Sequence, residues 1–150
     1  MDEQDNTVSF FRFEDLRIYD KAMDYIVWLQ KELNNPSFNE GDLLLQKSFL
    51  KAAYGIALNT AEGSSRNKTQ FLYYLKMAKS SVRECVVFTE IASKLGLLDD
   101  EGKAYSRNQL MELTKMIGSL IASLQRSSGQ QHESHSMDSD SGNDSMSDMM

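Results

Sequence analysis

The sequence predicts an all-α protein, an up-down antiparallel four-helix bundle with disordered N- and C-terminal tails. Three observations support this prediction. Four long segments carry apolar residues at steps of three and four, which is the spacing of one helix face. The chain contains only one proline and eight glycines, so few residues interrupt long helices. No segment shows the alternation of apolar and polar residues that a half-buried strand requires.

The first two predicted helices run from about Asp15 to Leu33 and from Asn39 or Glu40 to Glu62. Asn34-Asn35-Pro36 ends the first helix, and Gly63 is expected to end the second in a left-handed conformation. The predicted apolar face of the first helix is Leu16, Tyr19, Ala22 or Met23, Ile26, Leu29 or Gln30, and Leu33. That of the second is Leu45, Phe49, Ala52 or Ala53, Ile56 and Thr60.

The third predicted helix is capped by Asn67, with Gln70 at the spacing of a capping box, and is closed by Gly96. The fourth starts between Asp99 and Tyr105, where acidic residues suit the positive end of the helix dipole. The predicted apolar face of the third helix is Phe71, Leu75, Ala78, Val82, Cys85 or Val86, Thr89 and Ala92. That of the fourth is Leu110, Leu113, Ile117, Leu120 or Ile121, and Leu124.

Three regions follow along the chain: a disordered lead over residues 1–12, the bundle over 13–126, and a disordered, acidic, Ser- and Met-rich tail over 127–150. Residues 12–126 carry all 16 Lys and Arg and 14 of the 22 acids, so this region has a formal charge of +2. The net charge of −6 therefore arises in the two ends. The acidic start does not resemble a signal peptide, and no apolar run approaches the ~20 residues of a membrane span. We expect a cytoplasmic protein without a membrane partner.

The residues present argue against several kinds of enzyme and cofactor site. Residues 1–131 contain no histidine, which excludes the Glu-x-x-His pairs of a di-iron bundle and haem ligation by histidine. No phosphate-binding glycine loop or Cys-x-x-Cys pair is present. The single cysteine, Cys85, has apolar neighbours typical of a buried, inert thiol. We predict no enzymatic activity, no cofactor and no metal.

The octet that joins the second and third helices, Asn59-Thr60-Ala61-Glu62-Gly63-Ser64-Ser65-Arg66, is the most distinctive part of the chain. Asn59 and Glu62 lie one turn apart on a helix, and Arg66 is close enough to bond Glu62 or the last free carbonyls. The favoured interpretation is a hairpin lock formed by Asn59, Glu62, Gly63 and Arg66. The alternative is a ligand or partner site at this end of the bundle.

Two groups of basic residues are candidate nucleic-acid contacts. Lys47 and Lys51 form one pair on the second helix. On the third helix, four basic residues fall near one face: Lys68, Lys76, Lys79 and Arg83. Such a stripe can contact phosphates of a nucleic acid. For a single copy of the chain, the favoured interpretation is that these residues form an ordinary solvated face. Assembly into a ring would repeat the stripe. The second helix also contains several small residues. The favoured interpretation is tight packing within the bundle, and the alternative is a surface for self-association.

The chain resembles the 23S rRNA-intervening sequence proteins, also called the S23 ribosomal protein family, over roughly residues 12–125. The resemblance is centred on Asn59-Thr60-Ala61-Glu62-Gly63 with Arg66. Further matches are Phe13-Glu14-Asp15-Leu16, Lys51-Ala52-Ala53, Gly55-Ile56, Phe71-Leu72, Ala78, Ser81, Glu84 and Leu95-Gly96. The family resemblance implies an antiparallel four-helix bundle that assembles as a homopentamer. Some members are encoded within inserts in ribosomal RNA genes.

A related branch, the accessory variability protein of diversity-generating retroelements, is understood to form a basic pentameric ring that binds nucleic acid and a reverse transcriptase. This chain departs from the family at two places. Ala57 stands where the family usually has proline, and the arginine-rich run before the alanine pair is reduced to Leu50-Lys51. Both the reduced run and the acidic tail weaken the expectation of tight nucleic-acid binding. One hypothesis is that the tail shields the basic stripe as an acidic mimic.

Two function classes therefore stand as predictions. The first is a non-enzymatic, oligomeric bundle whose role is contact with proteins, including copies of itself. The second is an accessory protein that binds RNA or DNA and acts with a reverse transcriptase or ribosomal RNA. The two differ in their expected response to salt, because phosphate contacts weaken steeply as the salt concentration rises.

Overall fold

The computed structural model describes residues 11–131, with side chains described through residue 127. It contains four α-helices: α1 Arg17–Leu33, α2 Leu43–Ser64, α3 Lys68–Lys94 and α4 Asp100–Gln131. Short 3-10 helices, Arg12–Asp15 and Glu40–Asp42, precede α1 and α2. The contact between α2 and α3 is the most extensive, and α1 packs against α4 to close the bundle. The predicted all-α four-helix bundle is confirmed.

Local signals in the sequence set several helix ends. The side chain of Asn67 accepts a hydrogen bond from the Gln70 backbone N–H at 2.9 Å, as its capping position predicted. At the end of α3, Gly96 adopts a φ of 75°. The backbone N–H of Leu97 then reaches the carbonyl of Ala92 at 2.9 Å, which satisfies an otherwise free acceptor. These ends were predictable because each needs only residues within one or two turns.

The buried residues confirm the predicted faces of α2, α3 and α4. On α1 they confirm Ala22, Leu29 and Leu33, but the predicted face omitted two buried residues. Ile18 and Tyr25 are buried, while Met23 is exposed and Tyr19 and Ile26 are only partly buried. Tyr25 was not part of the predicted face, and a buried tyrosine hydroxyl needs a hydrogen-bond partner. The folded chain supplies that partner from α4, far away in sequence.

That partner belongs to a buried chain of three hydroxyls that joins α1, α3 and α4. Tyr25 Oη lies 2.8 Å from Ser106 Oγ, which in turn lies 2.7 Å from Thr89 Oγ1. Thr89 also donates to the Cys85 carbonyl at 2.7 Å. Burial raises the pKa of the Tyr25 phenol, so the group stays protonated and able to donate. A fully bonded polar chain can therefore lie inside an otherwise apolar core.

The small residues of α2 are explained by packing within the chain. Ala52 and Ala53 are buried. A Cβ added to Gly55 would lie 2.6 Å from Ser81 Oγ and 3.3 Å from Ser81 Cβ, so α3 passes very close at this point. This close approach supports the favoured interpretation of tight packing over a seam between copies.

The chain ends differ in part from the predicted region boundaries. The N-terminal 3-10 helix begins at Arg12, and α4 continues to Gln131, five residues past the predicted end of the bundle at 126. No proline stands between Leu124 and Gln131 to interrupt the helix. The predicted disordered segments at residues 1–10 and 132–150 lie outside the described residues. Along residues 11–131, no helix combines the length and apolarity needed to cross a membrane.

Candidate interaction surfaces

The hairpin between α2 and α3 brings together two of its four predicted motif residues. Arg66 donates from Nε and Nη2 to Glu62 Oε1 at 2.9 and 2.5 Å. The Arg66 guanidinium also lies 5.6 Å from the centre of the Tyr74 ring. The hydrogen bond to Glu62 raises the pKa of Arg66. The predicted Glu62–Arg66 contact therefore exists, on an exposed part of the surface.

The predicted role of Gly63 was wrong. Gly63 lies inside α2, which continues to Ser64, and the one glycine with a positive φ in the described part of the chain is Gly96. The hydroxyls of Ser64 and Ser65 donate to the carbonyls of Ala61 and Glu62, both at 2.8 Å. These bonds satisfy terminal carbonyls, so no left-handed residue is needed.

Gly63 instead allows α3 to approach α2 at the hairpin. A Cβ added to Gly63 would lie 2.7 Å from Tyr74 Cβ and 3.0 Å from Phe71 Cδ1. Asn59 lies on the same side of α2, where its Nδ2 would be 3.9 Å from a Cβ on Gly55. Within residues 11–127, no hydrogen bond joins Asn59 to Glu62 or Arg66. The motif thus combines an exposed ion pair with a tightly packed glycine.

A cleft of about 490 Å³ opens beside this hairpin, and we call it the hairpin cleft. Its walls come from the N-terminal 3-10 helix and from the end of α2. The lining residues are Phe11, Arg12, Phe13, Leu58, Ala61, Glu62, Ser64, Ser65 and Arg66. The sequence analysis missed the contribution of Phe11 and Arg12, because it assigned residues 1–12 to a disordered lead. Phe11 and Phe13, the two aromatic residues on either side of Arg12, were the signal that the sequence offered.

The six predicted basic contacts do not form one surface. Lys47 and Lys51 are exposed on the side of α2 that faces away from the core. The other four lie along one flank of α3. This flank contacts α4 at its start, where Lys68 Nζ donates to Ser127 Oγ of α4 at 2.7 Å. Lys76 is exposed on this flank, while Lys79 and Arg83 are partly buried. Arg83 donates to Ser80 Oγ at 3.3 Å.

The same flank of α3 becomes acidic toward its C-terminal end. Glu90 accepts from Arg107 at 2.7 Å and forms an ion pair with Lys103 at 3.4 Å, both on α4. The basic part of the flank is therefore limited to the first four turns of α3, nearest the hairpin.

An apolar surface that the sequence analysis did not identify covers the outside of the α2–α3 hairpin. On both helices it lies on the side opposite the buried residues, and we call it the outer face. Its members are Leu44, Tyr54 and Leu58 of α2, Tyr73, Met77, Val87 and Ile91 of α3, and Leu95 directly after α3. The most exposed is Leu44 at 79%, followed by Leu58 at 67%. The two pairs Tyr73 and Met77, and Val87 and Ile91, were a usable signal, since the members of each pair are four residues apart and share one helix face.

Two acidic groups elsewhere in the described chain, Cys85 and Glu32, have raised pKa values. Burial raises the pKa of the Cys85 thiol, and the charge of Glu84 acts in the same direction, so the reactive thiolate is disfavoured. Burial and the nearby Asp99 and Glu101 raise the pKa of Glu32. In residues 11–131, no three His, Cys, Asp or Glu side chains form a group suited to hold a metal ion.

The family model described as 23S rRNA-intervening sequence protein matches residues 14–119. A similar solved structure is that of a protein with unknown function from the S23 ribosomal protein family of Bacteroides thetaiotaomicron. It shares 18% sequence identity, with a TM-score of 0.63, and the match covers 70% of this chain and 95% of that chain. At this identity the likeness supports the fold alone. No curated protein matches the chain. Because the family model covers most of the sequence, the chain belongs to the 23S rRNA-intervening sequence protein family.

Proposed function

We propose that this member of the 23S rRNA-intervening sequence protein family is a non-enzymatic scaffold that assembles with copies of itself through the outer face. The observation that carries the proposal is that large apolar side chains are exposed on one side of two neighbouring helices. Large apolar patches are uncommon on monomeric proteins and typically mark interaction sites. A pentamer is the assembly that the family resemblance implies.

The composition of the outer face suits contact between helices of different copies. On α3, Tyr73 and Met77 form one apolar pair and Val87 and Ile91 another, and the polar residues Ser80 and Glu84 lie between the two pairs on the same side. On α2, Lys47 and Lys51 lie between Leu44 and Leu58. Within this apolar surface, α3 thus presents a carboxylate and α2 presents two ammonium groups. Such a pattern can select the register of a helix–helix contact.

The test compares two valine-to-aspartate substitutions at exposed sites. Val87, 57% exposed, belongs to the outer face, while Val27, 50% exposed, lies on α1 outside it. We expect the unsubstituted chain to sediment as an oligomer and Val87→Asp to reduce it to smaller species, because a charge would be buried in the contact. Val27→Asp should sediment like the unsubstituted chain. A monomeric unsubstituted chain, or equal effects of both substitutions, would exclude the outer face as the assembly surface.

A second candidate function is nucleic-acid binding, as an accessory protein acting with a reverse transcriptase or ribosomal RNA. It is favoured by the charge of α3 over residues 68–83, where Lys68, Lys76, Lys79 and Arg83 occur without any acidic residue. Arg66 lies just before this segment, at the hairpin. In a ring of copies the basic segments would repeat and their potentials would add.

This function is tested by the anisotropy of a labelled structured RNA across a salt series. We expect binding that weakens steeply with salt, and a weaker complex for Lys76→Glu because one phosphate contact is lost. Lys31→Glu makes the same change of charge in the last turn of α1, at the end of the bundle away from the hairpin. This variant should bind RNA like the unsubstituted chain. Absence of binding at ~50 mM salt would exclude this function and leave the scaffold.

A further inference from the structure

The end of α4 lies at the same end of the bundle as the hairpin cleft. Lys68, which opens α3, donates to Ser127 near the end of α4 at 2.7 Å. Lys68 is only two residues from Arg66, one of the residues that line the cleft. The helix continues from Ser127 to Gln131, a rise of about 6 Å. The described part of the chain therefore ends at the same end of the bundle as the cleft.

The cleft offers cations beside apolar surface. The Arg12 side chain is exposed and makes no ion pair within residues 11–127. Arg66 is paired with Glu62 through Nε and Nη2. Phe13, Leu58 and Ala61 form the apolar part of the walls. A suitable occupant would carry carboxylates for the two guanidinium groups and adaptable apolar side chains for the walls.

The sequence of residues 132–150 has this composition. It contains five acidic residues and no Lys or Arg: Glu133, Asp138, Asp140, Asp144 and Asp148. Four methionines accompany them: Met137, Met146, Met149 and Met150. Methionine fills irregular apolar surfaces well because its side chain is unbranched and polarizable. Acidic and apolar residues are interleaved, so one short stretch can present both kinds of side chain.

We propose that residues 132–150 of the chain dock into the hairpin cleft, with their carboxylates on Arg12 and Arg66. The 19 residues can extend up to about 60 Å, far more than the width of one bundle end. Attachment to α4 also gives the segment a millimolar-range effective concentration at the cleft, so weak contacts suffice. The docked segment covers the basic end of the bundle and competes with any other anionic ligand there. Of the residues that line the cleft, Leu58 alone also belongs to the outer face.

The experiment measures amide hydrogen exchange in the full-length chain. The test variant converts Glu133 to Gln and the four aspartates of residues 132–150 to Asn, which keeps the length and removes the charge. We expect exchange at residues 12–16 and 62–67 to accelerate at least about threefold in this variant, since local protection follows local contacts. The same acceleration is expected for the unsubstituted chain at ~500 mM salt. Exchange at the opposite end, residues 31–42 and 95–100, should stay unchanged.

A charge reversal in the cleft separates docking from a local effect on helix stability. Arg12→Glu should accelerate exchange at residues 62–67 in the unsubstituted background and add nothing once the five acids are neutralised. Lys31→Glu, at the far end of α1, should leave exchange at the cleft unchanged. Equal exchange in the unsubstituted and neutralised chains would overturn the proposal. So would protection that depends on protein concentration, because a second copy would then be the occupant.

Discussion

The α2–α3 hairpin has two apolar faces that differ in what covers them. The inner face, with Ile56 and Leu75, is fully buried against α1 and α4. The outer face, with Leu58 and Val87, has no helix of the described chain over it. Both faces repeat at helical spacing, so hydrophobic periodicity alone does not distinguish core from contact surface. The difference shows that an apolar stripe identifies a surface to be covered without identifying what covers it.

The largest expected effect comes from truncating matched leucines on the two faces. Leu75→Ala removes a side chain that is 0% exposed, and we expect it to lower the free energy of unfolding by roughly 2–5 kcal/mol through lost burial and a residual cavity. Leu58→Ala, at a site that is 67% exposed, should change it by less than about 0.5 kcal/mol in the dissociated chain. Urea unfolding at low protein concentration measures both.

Equal costs at the two positions would show that the outer face is covered even at low concentration. A large cost for Leu58→Ala that grows with protein concentration would instead place this residue in an assembly contact, since assembly contributes to apparent stability by mass action.

A smaller effect is expected at Gly63, where α2 approaches Phe71 and Tyr74 of α3 closely because glycine has no side chain. Gly63→Ala places a Cβ 2.7 Å from Tyr74 Cβ, so we expect a loss of about 1–3 kcal/mol as the two helices separate. Gly118→Ala is the matched control inside α4, because a Cβ there meets nothing within 4 Å. This control should gain about 0.5–1 kcal/mol from helix propensity. Thermal unfolding of both variants compares them directly, and a neutral Gly63→Ala would contradict the close approach.

The smallest effect is expected at the exposed hairpin ion pair. Glu62→Gln removes the charge that holds Arg66, but exposed pairs within one helix turn contribute little to stability. We expect an unfolding midpoint indistinguishable from that of the unsubstituted chain. A clear loss of stability would support the predicted hairpin lock. An unchanged stability leaves the pair as part of the surface of the hairpin cleft, where Arg66 remains available to a carboxylate.

Several parts of this fold follow from residues close together in sequence. The cap at Asn67 and the turn at Gly96 need only a donor or a carbonyl within a few residues, so pattern alone predicts them. The faces of α2, α3 and α4 follow from apolar residues that recur at steps of three and four. The contact of Glu62 with Arg66 was predictable for the same reason, since four residues separate them.

Tertiary structure decided the features that depend on distant residues. Tyr25 is buried because Ser106, 81 residues away, supplies its hydrogen bond. Gly63 is required by the approach of Tyr74 rather than by its own backbone angle. The hairpin cleft joins Arg12 to Arg66 across the bundle end. The sequence by itself therefore determined the helices and most of the core, because these depend on local bonds and periodicity. Only the packed chain decided which apolar and charged groups meet, because that depends on how the helices approach one another.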